Sequence, residues 1–295
     1  CYCGTHYNYI KRRNRNGLCT SSNIVSCILG RRITKLVYQR GVSRVAHLFT
    51  IPLEIPAAIY VSRKRRENLL QADIIITVSK TLAKELHCLM PESSSKITTV
   101  YNPLPEVGKY ARPYDAGRHT LLYAGGSTYE KGIFHLPKIW KLLVKRYKNL
   151  ELCVAGGLDS LTLRSIVKKF KLTSTVRLLP RVAHEEVMRL LTRAYAAVVP
   201  SLGSEGLPYA VIEPMTAGRA VFASPVGGIP EVLRNGYGGY FIDPWDSNAS
   251  ADVLAKIVDF EEMVRQGEYA KKHITRLLTY GNTTGRLATI LAKMT

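Results

Sequence analysis

Glu205 and Glu213 stand eight residues apart in Pro200-Ser-Leu-Gly-Ser-Glu-Gly-Leu-Pro-Tyr-Ala-Val-Ile-Glu213, which reads as a strand end, a glycine-containing loop and a helix starting near Tyr209. Glu205 then falls in the loop and Glu213 about one turn inside the helix, so the two carboxylates can address different parts of one ligand. A carboxylate that accepts two hydrogen bonds clamps vicinal hydroxyls, such as those of a ribose or a sugar ring. The backbone amides that open the helix, after Gly206, Leu207 and Pro208, sit at the positive end of its dipole and suit a diphosphate. Pro208 fits the first turn, where its missing N–H does no harm. A second group lies upstream. Gly125-Gly126 closes a strand and lets a ligand approach the backbone, while Lys131, in Tyr129-Glu130-Lys131-Gly132, adds a point charge at the start of the next helix. Each residue alone has a plainer explanation: a glutamate favoured by a helix start, another on a solvated face, a surface lysine.

Loops of this kind need a sheet to hold them, and from residue 72 onward short apolar runs alternate with helix-period segments, the pattern of parallel strands joined by helical crossovers. Asp73–Ser79 predicts a buried strand, Lys80–Leu89 a helix and Ile97–Tyr101 a further strand. Residues 104–118, with Pro105, Gly108, Pro113 and Gly117, predict a linker. A second set follows. His119–Ala124 and Glu151–Ala155 predict strands, Gly132–Lys148 a helix, and Leu163, Ile166, Val167 and Phe170 one face of another helix. Strands are expected at Val176–Leu179, Ala196–Val199, Ala220–Ala223 and Tyr240–Ile242, with a helix around Val187, Leu190 and Leu191. In such sheets ligands bind beyond the carboxyl ends of the strands, where both groups of candidate residues fall.

With the elements in place, the segments Asp73–Ser79, Tyr101-Asn-Pro, Tyr123–Gly132, Pro200–Glu213 and Ser224–Glu231 together resemble the retaining family 4 (group 1) glycosyltransferases, including their E-x7-E signature. The resemblance runs from about Ala72 to Asp246. It implies an α/β chain of the GT-B fold, two facing Rossmann-like domains with parallel sheets, here with an incomplete N-terminal one. The divisions expected are a partial acceptor-side domain at 1–113, a nucleotide-sugar-binding domain at 114–274 and a C-terminal helical segment at 275–295 that returns to the first. Glu213 would bind the nucleotide ribose, and Glu205 the donor sugar near its 3- and 4-hydroxyls. Lys131 would neutralise the donor diphosphate, and Arg181-Val182 would meet the base. Cys3-Gly4-Thr5-His6-Tyr7 resembles the segment bearing the family's histidine near the reacting carbon, which makes His6 a candidate; a plain surface histidine is the other reading.

The implied reaction moves a sugar from a nucleotide diphosphate to an acceptor hydroxyl with retention of configuration. The nucleotide sugar serves as substrate, no further cofactor is needed, and no carboxylate cluster suits magnesium. Two departures stand out. Many relatives have an arginine five or six residues before the lysine that Lys131 matches, and here those positions are Gly126 and Gly125. Only about 113 residues precede the second set of strands, and the chain opens at Cys1 without an initiator methionine, which reads as a processed or a partial sequence. Other readings are a nucleotide-sugar-binding or membrane-docked partner protein with impaired turnover, and a GT-B sugar-nucleotide epimerase.

Composition bounds the rest. A chain of 295 residues with 46% hydrophobic and 22% charged residues is too apolar for disorder and long enough for two domains. The net charge is +20 (42 basic against 22 acidic), and residues 1–105 hold 16 basic against 5 acidic residues, a net of +11. A field of that sign favours an anionic partner, a phosphorylated substrate or an anionic membrane surface, rather than nucleic acid, for which no motif appears. Residues 45–62 are largely apolar and run into Arg63-Lys64-Arg65-Arg66, which reads either as a core-facing helix pair or as an interfacial membrane segment. The acceptor expected is therefore a lipid-linked or other glycan, met at the cytoplasmic face of a membrane. Six scattered cysteines read as reduced thiols, in keeping with a cytoplasmic compartment.

Overall fold

The computed structural model describes residues 7–10, 19–20, 66–105, 119–126, 128–156 and 160–293. His6, most of the linker and the apolar-basic stretch 45–65 lie outside them. The chain divides into two compact units, one of Cys1–Asn102, Gly203–Leu207 and Tyr280–Thr295, the other of Pro103–Leu202 and Pro208–Thr279.

In the first unit, β1 (Tyr7–Ile10), β2 (Cys19–Thr20), β3 (Ile74–Thr77) and β4 (Ile97–Thr99) form a sheet in the order β2-β1-β3-β4. The expectation of parallel pairing holds for β3 with β4, but β1 runs antiparallel to both β2 and β3. Such pairing is set by partners distant in sequence, which the local pattern at Tyr7–Ile10 does not encode. Helix α1 (Lys80–Leu89) starts where Ser79 accepts a hydrogen bond from the Leu82 amide at 3.1 Å, and it buries Leu82, Ala83 and Leu86.

The second unit has a six-stranded, all-parallel sheet of β5 (His119–Ala124), β6 (Leu150–Ala155), β7 (Val176–Leu178), β8 (Ala196–Val199), β9 (Ala220–Ala223) and β10 (Gly239–Phe241). Their order is β10-β9-β8-β5-β6-β7. Helices α2 (Leu136–Arg146), α3 (Leu161–Lys169), α4 (His184–Arg193), α5 (Tyr209–Thr216) and α6 (Ile229–Val232) connect successive strands, α7 (Ser247–Leu254) and α8 (Phe260–Leu277) follow β10, and α9 (Thr284–Ala292) belongs to the first unit.

The strands are apolar on both faces because both faces are covered. Leu121 and Tyr123 of β5 join a core with Ile139, Trp140 and Phe222, while Leu122, one residue out of phase, packs with Cys153, Met188 and Leu191 on the other face. α2 buries Leu136, Ile139, Trp140 and Leu143, at the i, i+3, i+4, i+7 spacing of a single stripe.

Helix α2 differs from expectation in its start. Instead of running from Gly132, the chain makes a 3₁₀ turn at Tyr129–Lys131, then a left-handed Gly132 (φ 69°), and the helix opens only at Leu136, with Pro137 in its first turn. The positive φ cannot continue a right-handed helix, and Pro137 lacks the amide that an interior helical position would need.

Candidate functional site

The sheet order reverses at β5, since β6 and β7 lie to one side of it and β8, β9 and β10 to the other. The crevice outside the carboxyl ends of β5 and β8 is the topological switch point, where open α/β sheets hold their ligands. Gly125, Gly126 and Lys131 follow β5, and the segment leading to Glu213 follows β8.

The two loops are fixed against one another within the second unit. The Leu202 amide donates to the Glu130 carbonyl at 2.8 Å, and a Cβ built on Gly132 would lie 1.7 Å from the Pro200 carbonyl oxygen. Glycine is therefore required directly after Lys131, both for its φ and for this approach. An aromatic group supports the turn. The Tyr129 ring lies 5.9 Å from that of His135, His135 packs edge-on to Trp245 at 4.7 Å, and His135 Nδ1–H donates to the Pro244 carbonyl at 3.0 Å. Burial holds His135 below the usual histidine pKa. Lys131 itself is half-buried. At the end of β5 the Tyr123 hydroxyl donates to the Gly126 carbonyl at 2.7 Å, and the space over Gly126 is open to at least 4 Å.

Glu213 lies on α5, whose first residue is Tyr209. Pro208 is the N-cap rather than a first-turn residue, with extended φ/ψ of −73° and 131°. No side chain caps α5; the Val211 amide donates to the Pro208 carbonyl at 2.9 Å, and the amides of Tyr209 and Ala210 stand ahead of that bond, at the positive end of the helix. The Glu213 side chain is 14% exposed and its Oε1 stands 3.7 Å from His184 Nε2. Burial pushes its carboxyl up to about 7, and burial together with the nearby Glu213 raises the Tyr209 hydroxyl.

His184 opens α4, directly after the Arg181-Val182 loop, so the loop assigned to the base and the helix bearing Glu213 meet at this pair. Arg181 is exposed and Val182 half-buried. Sequence reasoning missed His184, and nothing in its local pattern marks it, since only the fold brings it to Glu213.

Glu205 has a different setting. It is buried, and its loop Gly203–Leu207 belongs to the first unit, whereas Glu213 belongs to the second. Within the first unit, Ser204 Oγ donates to the Glu85 carboxylate at 3.0 Å, Asn102 Nδ2 donates to the Leu207 carbonyl at 2.7 Å, and a Cβ on Gly206 would come within 2.7 Å of Val78 Cγ2. Gly206 is thus kept small by packing. Leu207 is buried beside it in the sequence. Among the described residues no group of three His, Cys, Asp or Glu side chains is placed to hold a metal ion.

Comparison with known proteins agrees with this geometry. The family described as Glycosyl transferases group 1 matches residues 111–273, more than half of the chain. Glycogen synthase from Mycobacterium tuberculosis is 28% identical over 193 residues, covering 64% of this chain and 46% of that protein. N-acetyl-alpha-D-glucosaminyl L-malate synthase from Bacillus anthracis is 28% identical over 219 residues, covering 69% and 55%. The chain spans about half the length of these curated relatives. Among solved structures, sucrose-phosphate synthase from Thermosynechococcus elongatus superposes with a TM-score of 0.69 at 18% identity, over 89% of this chain and 66% of that one. Anabaena HepE in complex with UDP superposes with a TM-score of 0.67 at 16% identity, over 77% and 68%. The switch-point loops, the sheet order and the family match converge on one assignment: this chain belongs to the group 1 glycosyl transferases and has the α/β GT-B fold.

Proposed function

We propose that the protein is a retaining glycosyltransferase that moves a sugar from a nucleotide-diphosphate sugar to an acceptor hydroxyl. The observation behind this reading is that Lys131 and the segment leading to Glu213 follow β5 and β8, the two strands that flank the switch point. In the second unit Glu213 takes the ribose hydroxyls, the Arg181-Val182 loop the base, and Lys131 with the first amides of α5 the diphosphate. Cleavage of the donor builds negative charge on the departing diphosphate, and a fixed cation and preorganised amides stabilise it there. Glu205 positions the donor sugar by its hydroxyls, and His6 belongs near the reacting carbon. The acceptor attacks the face from which the diphosphate leaves, and the leaving phosphate takes the acceptor proton, so the step needs no enzyme nucleophile. Metal and cofactor have no assigned role.

In domain terms, residues 1–113 are assigned to the acceptor side, 114–274 to the donor, and 275–295 to a helical return to the first. The +11 charge of residues 1–105 supports a lipid-linked or cell-surface glycan precursor as acceptor, met at the cytoplasmic face of a membrane. The bound UDP of Anabaena HepE makes UDP sugars the first donors to try. A thermal-shift screen of UDP, GDP, ADP and their sugar conjugates tests donor use, because a ligand of the native state raises apparent stability by mass action. Anomeric analysis of the product by NMR then tests retention, and an inverted product refutes it.

A second reading has one observation in its favour. Gly125 and Gly126 stand where an arginine is common in relatives, and no side chain from either can reach a phosphate. A donor-binding protein with impaired turnover would give a thermal shift with UDP and no glycosylated product.

A further inference from the structure

We propose that the α2–α3 face of the second unit is a docking surface for an anionic phospholipid membrane. Charge within this unit is strongly divided. Residues 131–184 hold 12 Lys and Arg against Glu151 and Asp159, a net of +10, whereas residues 185–274 hold 8 basic against 12 acidic residues, a net of −4. Between residues 160 and 184 there are six Lys and Arg and no acidic residue at all.

The fold brings much of that charge to one side of the sheet. α3 turns Leu163 and Val167 inward, which leaves Leu161, Arg164, Ser165 and Lys168 on its outer face. The helix shares its core contacts with Val176 of β7, the edge strand of the sheet. Between them runs a groove whose apolar floor includes Val167, Val176 and Leu178, and whose rim carries Arg164 and Lys168. Leu161, 74% exposed, stands at one end. α2 extends the basic side, since Lys141 Nζ sits 5.1 Å over the Phe170 ring at the end of α3, and Lys138 and Lys145 are exposed along the same helix. Arg177 projects from the opposite face of β7 to Val176 and Leu178, pairs with Glu151, and is not part of this surface.

Cations around an apolar groove that the described residues leave open match the chemistry of a lipid interface. The ammonium and guanidinium heads meet headgroup phosphates, their aliphatic stems lie along the groove, and Leu161 enters the acyl boundary. A nucleic-acid backbone would engage the charges but offers nothing to the groove or to Leu161, so charge and apolar surface together select the membrane. The surface is apart from the switch-point loops, and its failure would leave the donor reading untouched.

The test is sedimentation of the whole chain with vesicles of phosphatidylcholine and phosphatidylglycerol, against vesicles of phosphatidylcholine alone. The native protein is expected to bind only the anionic vesicles, and to be released by salt. Each cation near such a surface contributes about a fivefold gain in partitioning, so Arg164→Gln with Lys168→Gln should lower binding about thirtyfold, and adding Leu161→Ser should lower it further. Amide exchange gives a second readout on the unaltered protein, with protection expected at residues 161–173 when anionic vesicles are added. A chain with Arg63, Lys64, Arg65 and Arg66 all changed to Gln examines the front segment separately. The proposal is overturned if native protein ignores anionic vesicles, if the α3 variants bind as the native chain does, if only the 63–66 variant loses binding, or if a DNA duplex displaces the vesicles without any protection at α3.

Discussion

Changing Glu213→Gln should stabilise the second unit in a pH-dependent way while weakening its hold on a nucleotide. The Glu213 carboxyl is pushed from 4.5 to about 7 by burial. A displacement of that size corresponds to about 3 kcal/mol between its neutral and ionised forms. Because the folded pKa lies above the unfolded one, the stability is fully present below pH 4.5 and is lost as the pH rises through 7. His184 at 3.7 Å offsets little of this, since its side chain is 65% exposed and the pair is screened by water. Glutamine removes the ionisation and keeps the shape. At pH 4 native and variant chains should therefore unfold together, and at pH 8 the variant should be more stable by up to about 3 kcal/mol, a rise of about 1.5 M in urea midpoint. Both tryptophans, Trp140 and Trp245, lie in the second unit, so their fluorescence follows its unfolding alone. Equal midpoints at pH 8 would refute the idea that burial governs this carboxyl.

Three further outcomes follow from the same geometry. Lys131→Ala should lower turnover with a UDP sugar by about 10²- to 10³-fold through lost stabilisation of the leaving diphosphate, and an unchanged kcat would remove Lys131 from that role. Gly132→Ala should destabilise the second unit by about 3 kcal/mol or more, since its Cβ would meet the Pro200 carbonyl at 1.7 Å in a backbone conformation that disfavours side chains; urea unfolding like that of the native chain would contradict this. The Cys153 thiol, buried and pushed up to about 11, should resist a thiol reagent that modifies exposed Cys88, and peptide mapping that finds Cys153 labelled in the folded protein would refute its enclosure.

Much of the second unit was legible in the sequence because its strands are short apolar runs buried on both faces. His119–Ala124, Ala196–Val199 and Ala220–Ala223 begin and end where the pattern predicts, and Lys80–Leu89 follows a serine whose side chain caps it. The start of α5 at Tyr209 was equally readable from Pro208 and the preceding glycine loop. What escaped depends on contacts between distant residues. Gly132 could have continued a helix by periodicity, but its left-handed φ of 69° holds the helix back to Leu136, and the approach of Pro200 leaves room there for no residue larger than glycine. His184 acquires its meaning only from Glu213, 29 positions away in the chain. The assignment of Glu205 to the first unit follows from the contacts of its neighbours with Glu85, Asn102 and Val78, which no spacing within the E-x7-E segment records.

Every role proposed above requires the second unit to hold a nucleoside diphosphate at the β5–β8 switch point. Calorimetric titration of the native chain, Glu213→Ala and Lys131→Ala with UDP, GDP and ADP examines this directly. Saturable binding of one diphosphate by the native chain, weakened about tenfold or more in each variant by loss of a charge-assisted contact, is the predicted result. Undetectable binding of all three, or equal affinity in all three proteins, would contradict it.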